Sequence, residues 1–124
     1  MPFDPAILET AAREKEVEIT TFGRKTGNAS KRIVWIIVIG PRIYVRSGVG
    51  LGRDWPQNLL ANGRAILHVD GREVPVRARH VTDAEEARSM HAPVKAKYNA
   101  ERPGSSGAEP LTPAEEAVFE LLPE

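Results

Sequence analysis

The chain contains no cysteine. Disulfides, thiolate nucleophiles and cysteine-ligated zinc are excluded together, and the expected compartment is a reducing cytoplasm. Net charge is also absent: 17 Lys and Arg face 17 Asp and Glu, which argues against a chain-wide nucleic-acid coat. The longest apolar run, 33–39, has seven residues, whereas a membrane-spanning helix needs about 20. Met1-Pro2-Phe3-Asp4 lacks the basic start and apolar stretch of a secretory signal. The three histidines, His68, His80 and His91, have neither HxH nor HxxxH spacing and no acid cluster beside them, so no metal site is expected. Ser47 lies in Arg46-Ser47-Gly48-Val49-Gly50, which is not a nucleophile elbow.

What remains is 124 residues with a globular balance of 41% hydrophobic and 27% charged side chains, enough for one domain. The expected division is an N-terminal helix over 1–16, a barrel over 17–81 with a short helix at 54–62, and C-terminal helices over 82–124. Asp4-Pro5 is a favoured helix start, and apolar spacing carries that helix to about Lys15. Residues 17–22 alternate as a half-buried strand. Residues 31–39 read as the strongest strand, and their run 33–39 is apolar on both faces, which predicts a central strand with Trp35 in the core. A third strand, 42–47, leads into a loop holding Gly48, Gly50 and Gly52. Asp54 is expected to cap the short helix, which Asn62-Gly63 ends. Strands 64–69 and 72–80 meet at Asp70-Gly71, a strong hairpin signal. Thr82 and Thr112 each open a capping box. The first starts a helix that Pro93 should kink or shorten, and the second starts a last helix through Leu122. Residues 101–110 read as a mobile loop. Five or six strands in short-turn pairs, interrupted by one helix, suit a mainly β, mostly antiparallel small barrel.

The zero net charge hides an asymmetry. Residues 19–69 carry eight basic side chains (Arg24, Lys25, Lys31, Arg32, Arg42, Arg46, Arg53, Arg64) and one acid, Asp54. That segment is about +7, and the rest, with 9 basic and 16 acidic residues, about −7. Arg24, Lys25, Lys31 and Arg32 flank one turn; they either screen a sheet edge or bind phosphate or carboxylate. The glycine loop carries Arg53 and leads into a helix N-terminus, a setting that suits an anion, although Asp54 already occupies that helix end. Trp55 is expected to cover the barrel end.

The run Ile19-Thr20-Thr21-Phe22-Gly23-Arg24-Lys25-Thr26-Gly27, the apolar strand, Tyr44-Val45-Arg46-Ser47-Gly48, the glycine loop, Trp55-Pro56-Gln57-Asn58-Leu59-Leu60-Ala61-Asn62 and then a hairpin resembles the flavin/deazaflavin-dependent nitroreductase-like proteins. These are split β-barrels of the FMN-binding superfamily, and the likeness covers roughly residues 17–90. The resemblance implies a cofactor, FMN or an 8-hydroxy-5-deazaflavin. It would lie along Arg24, Lys25, Lys31, Arg32, Ile33, Val34 and Trp35, with Ser47, Gly48, Gly50 and Arg53 at its tail and Trp55 and Asn58 from the short helix. It also implies a homodimer, and no universal catalytic acid or base, because hydride transfer is the cofactor's chemistry. The leading expectation is therefore an oxidoreductase passing a hydride to a small electron-poor organic substrate. The alternatives are a non-catalytic binder that stores or senses a flavin, haem or other anionic small molecule, and a degenerate barrel that only dimerises.

Overall fold

A computed structural model describes residues 3–99 and 104–124. Six antiparallel strands close a barrel in the order β1-β2-β3-β6-β5-β4. They are β1 (Glu16–Phe22), β2 (Ala29–Ile39), β3 (Arg42–Arg46), β4 (Arg64–Val69), β5 (Arg72–His80) and β6 (Val118–Pro123). The architecture is the expected mainly β, antiparallel split-barrel type with one helix inserted.

Alternation along the strands fills the interior. Val17 lies opposite Val34, Ile36 opposite Val45, Val45 opposite Phe119, and Ala78 opposite Leu121. All but Ala78 belong to one buried cluster, and the half-buried Ala78 packs against it. Helix α1 (Pro5–Arg13), capped by Asp4 through a 2.8 Å bond from the Ala6 N–H, adds Ile7 and Ala11 to that cluster. Helix α2 (Asp54–Asn62) adds Trp55 and Leu59. The Asp70-Gly71 hairpin has φ of 57° and 66°, the paired left-handed conformation of a two-residue turn, and it fixes β4 and β5 at the expected residues.

Outside the barrel, a second cluster joins Ile37, Tyr44 and Val118 to Ala87, Met90 and Val94. Those last residues come from α3 (Ala84–Arg88) and α4 (His91–Tyr98) and the joint between them. The expected single helix is thus two, with Pro93 in the first turn of the second. The cap of α3 is Asp83, which accepts from the Glu86 N–H, one residue later than the Thr82 capping box predicted.

Three further expectations are overturned. The Thr112 capping box is present, but its helix, α5 (Pro113–Glu116), is a single turn. Residues 118–123 form β6 and close the barrel between β3 and β5, because two strand edges waiting for partners outweigh local helix propensity. Trp35 is on the outer face of β2 and is 41% exposed; a barrel strand has one inner face, and Val34 and Ile36 take it. The loop reading of 101–110 falls partly outside the described residues. Its remainder is tied down: the Arg88 guanidinium donates to Ser105 Oγ and to the Gly107 and Glu109 carbonyls.

Candidate cofactor cleft

The first half of β2, the end of β3 with its following loop, and the start of α2 enclose an open cleft of about 640 Å³. Arg32, Ile33, Val34 and Trp35 form one wall. Arg46, Ser47, Gly48 and Val49 form another, and Gly52, Arg53, Asp54 and Trp55 the third. Ser47 and its loop are held by backbone bonds, Ser47 N–H to the Ala117 carbonyl (3.0 Å) and Gly50 N–H to the Ser47 carbonyl (3.1 Å).

A smaller cavity of about 270 Å³ is lined by Gly23, Arg24, Lys25, Thr26, Ser30, Asp54 and Asn58. Asp54 borders both spaces. It is not the cap of α2. Arg53 holds that position without a side-chain bond, and the Asp54 carboxylate accepts from Arg32 Nη2 at 3.3 Å.

Eight of the residues picked out from the sequence therefore line the larger cleft: Arg32, Ile33, Val34, Trp35, Ser47, Gly48, Arg53 and Trp55. Arg24, Lys25 and Asn58 line the neighbouring cavity. Lys31 and Gly50 line neither. Gly50, at φ +97°, is buried against Pro113, and a Cβ there would stand 3.1 Å from the Pro113 Cβ. Asn58 is buried, and its amide donates to Thr21 Oγ1 at 3.0 Å, pinning α2 to β1. Trp55 is buried with its ring 6.0 Å from that of Phe119, so it covers the barrel end as expected.

Sequence reasoning did not place Arg46, Val49 and Gly52 on the cleft. Strand parity carried a signal for Arg46, which shares a face of β3 with Arg42 and Tyr44, but nothing local tells which of the three reaches a cavity.

Trp35 is backed by Tyr98. Their rings stack at 4.1 Å and are parallel to within 2°. Pairing with β1 ends at Trp35, opposite Glu16, and α4 takes over the backbone of the next residue. The Ile36 N–H donates to the Tyr98 hydroxyl at 2.9 Å, and Lys97 Nζ donates to the Ile36 and Ala11 carbonyls, each at 2.9 Å. Burial pushes the Lys97 ammonium and the Tyr98 phenol toward their neutral forms, the first down in pKa and the second up.

Each histidine has a protein partner. His68 Nε2 is 2.6 Å from Thr20 Oγ1, His80 Nε2 donates to the Glu116 carbonyl at 2.7 Å, and His91 Nε2 donates to Glu115 at 2.8 Å. No group of three metal-ligating side chains occurs among the described residues. No helix among them is long and apolar enough to cross a membrane.

Over residues 7–121 the chain matches the family described as "Uncharacterized protein conserved in bacteria (DUF2255)". The chain belongs to that family. No curated protein matches it.

Solved structures share its fold at low identity. An F420 reductase is 15% identical, with TM-score 0.64, over 98% of this chain and 96% of that one. A protein provisionally assigned as a pyridoxamine 5′-phosphate oxidase, from Listeria innocua, is 16% identical, with TM-score 0.67, over 96% and 89%. An FAD-binding protein from Mesorhizobium loti is 17% identical, with TM-score 0.61, over 100% and 92%. At such identities the likeness establishes the split-barrel fold.

Proposed function

We propose that this chain binds a flavin-type cofactor, FMN or an 8-hydroxy-5-deazaflavin, in the cleft beside β2, and uses it to reduce a small electron-poor organic substrate. One observation carries the reading: a cleft of about 640 Å³, within the usual range for small-molecule sites, joins exposed flat apolar surface to a concentration of arginine. Ile33, Trp35 and Val49 are 65%, 41% and 56% exposed around it, while Arg32, Arg46 and Arg53 bring positive charge. A tricyclic ring with an anionic tail needs both. The F420 reductase and the FAD-binding protein that share the fold, each named for such a cofactor, support the same choice.

Bound there, the cofactor supplies the hydride. The protein's part is binding and orientation. Ile33, Val34 and Trp35 offer the wall for the ring, and Trp35 is braced from behind by Tyr98. Ser47, Gly48 and Arg53, with Arg24 and Lys25 in the adjoining cavity, hold the tail. Lys31 acts on it through long-range charge. Gly50 and Asn58 shape the site by fixing the loop and α2. The uncovered outer face of β2 at Ile33 and Trp35 fits a homodimer that shields the ring from water.

Titration with FMN and with F420, followed by quenching of cofactor fluorescence, tests the reading. A dissociation constant below about 100 μM, near −5.5 kcal/mol, is expected for one of them; binding of neither would falsify it. A second reading, a non-catalytic binder of flavin, haem or another anionic small molecule, is favoured by the acid–base content of the cleft. Its one carboxylate among the described residues, Asp54, is engaged by Arg32. Tight FMN or F420 binding without cofactor-dependent reduction of quinones or nitro compounds selects it.

A further inference from the structure

The outer face of β2 passes from covered to open along three alternate residues. Ile37 is buried in the outer cluster with Met90 and Val94, Trp35 is partly exposed, and Ile33 is open to solvent. Trp35 stands at the boundary. On the covered side it meets Tyr98, which packs against the same cluster as Ile37; on the open side it lines the cleft together with Ile33. A ring with one parallel neighbour at 4.1 Å has its second face left for another flat ring.

The same residue marks a seam in the sheet. β2 pairs with β1 as far as Trp35 and with β3 from Ile36 onward. Helix α4 fastens that seam through its last two residues. The Tyr98 hydroxyl accepts from the Ile36 N–H at 2.9 Å and donates to the Lys15 carbonyl at 2.6 Å, and the Ile36 carbonyl accepts from Lys97 Nζ at 2.9 Å. The other end of Tyr98 is fixed by the helix stop. Asn99 turns to φ 52°, and its N–H donates to the Lys95 carbonyl at 2.9 Å. Polar bonds therefore hold the phenol, and the phenol holds the indole. A loose indole would lose its rotamer freedom when a ligand stacked on it; here that freedom is already removed by folding.

Resting on the cofactor reading above, we propose that Tyr98 is a positioning residue that holds the Trp35 indole flat, so that the tricyclic ring of the cofactor stacks on its open face. Tyr98 acts on the ring and not on the tail, so its effect is the same for a phosphorylated ligand and for the phosphate-free parent.

The test titrates two pairs, FMN with riboflavin and F420 with 8-hydroxy-5-deazariboflavin, with thermal unfolding as a check on folding. For the pair that wild-type protein binds, Tyr98→Leu is expected to weaken both members about fivefold, the scale of one aromatic pair. Trp35→Leu should weaken both about tenfold, and the double variant should bind no worse than Trp35→Leu alone. Tyr98→Phe keeps the stacked ring and should stay within about twofold of wild type. Tyr98→Met, apolar but without a flat face, replaces the Leu variant if that one does not fold. Unchanged affinity in Tyr98→Leu, weakening of the phosphorylated member alone, additive single effects, or a Phe variant as weak as the Leu variant overturns the proposal.

If wild-type protein binds none of the four, the cofactor reading falls and the positioning is read without ligand. The Trp35 indole N–H signal, assigned by its loss in Trp35→Leu, should show nitrogen relaxation as restricted as that of the strand backbone in wild type and Tyr98→Phe. Greater motion is expected in Tyr98→Leu; identical relaxation in all three refutes the positioning.

Discussion

Two concentrations of charge are built in opposite ways. On the outer face of β3, β6 and β5, Tyr44, Glu120 and Arg79 lie opposite one another across three strands. Glu86 of α3 and Arg42 complete the group. Arg79 pairs with Glu86 and, at 2.7 Å, with Glu120; Arg42 approaches Glu120 at 3.8 Å; and the Tyr44 hydroxyl donates to Glu86 at 2.8 Å. Two arginines meet two carboxylates. The Arg79 guanidinium lowers the Glu86 pKa, and burial raises that of Tyr44. Around the cleft that balance is absent. Arg24, Lys25, Lys31, Arg32 and Arg53 surround one acid, and among the described residues only Arg32 is paired with it. Charge balanced within the fold fastens the barrel to its covering helices; charge left in excess beside a cavity is available to a ligand.

The contrast can be broken in graded ways. Glu115 supplies the largest effect because its charge is met mainly by neutral donors. Its pKa falls from the usual 4.5 to about 2 on folding, so the stability it contributes is complete above the unfolded value and disappears as pH falls toward 2. The loss is about 3 kcal/mol. Urea unfolding at pH 7 and pH 3 should show about 2 kcal/mol of that loss in wild type, since the folded-state group is still largely ionised at pH 3, and much less in Glu115→Gln. Next comes the balanced network. Glu120→Ala leaves Arg79 and Arg42 short of a buried partner and should cost about 2 kcal/mol, read as a lower urea midpoint, while FMN affinity stays unchanged. The cleft should behave in reverse. Arg24→Glu with Arg53→Glu should weaken FMN at least about tenfold, roughly 1.4 kcal/mol, with stability within about 0.5 kcal/mol of wild type. Asp54→Asn is the mildest. Its pair with Arg32 is exposed, so unfolding should shift by less than about 0.5 kcal/mol, and FMN should bind two- to threefold tighter (about 0.5 kcal/mol) as Arg32 is released.

Where local chemistry decides the structure, the sequence was readable. Asp70-Gly71 can form a two-residue turn and little else, and β4 and β5 followed to the residue. Asp4-Pro5 likewise marked α1. The failures were places where distant chain decides. Residues 118–122 follow a genuine capping box and read as helix, but β3 and β5 each present an open edge there. The cue was Phe119 and Leu121 alternating with Val118 and Glu120. Trp35 was misplaced because a strand apolar on both sides does not reveal which side a barrel encloses. The basic residues of the cleft were legible as a cluster from their density between 19 and 69. Arg46 with His91 was not, since 45 residues separate them and neither carries a motif.

The position of β6 has a consequence for how the molecule is made. It is the last of the six strands to be synthesised, yet it sits between β3 and β5 rather than at the end of a sheet. Until it emerges, both neighbours have unpaired edges, and Ile43, Val45 and Ala78 lack their partners across the barrel wall. An open, apolar sheet of this kind invites pairing with another nascent chain. The barrel is therefore sealed after most of its wall has been built, and the interval between the fifth strand and the sixth is when a chaperone has most to protect.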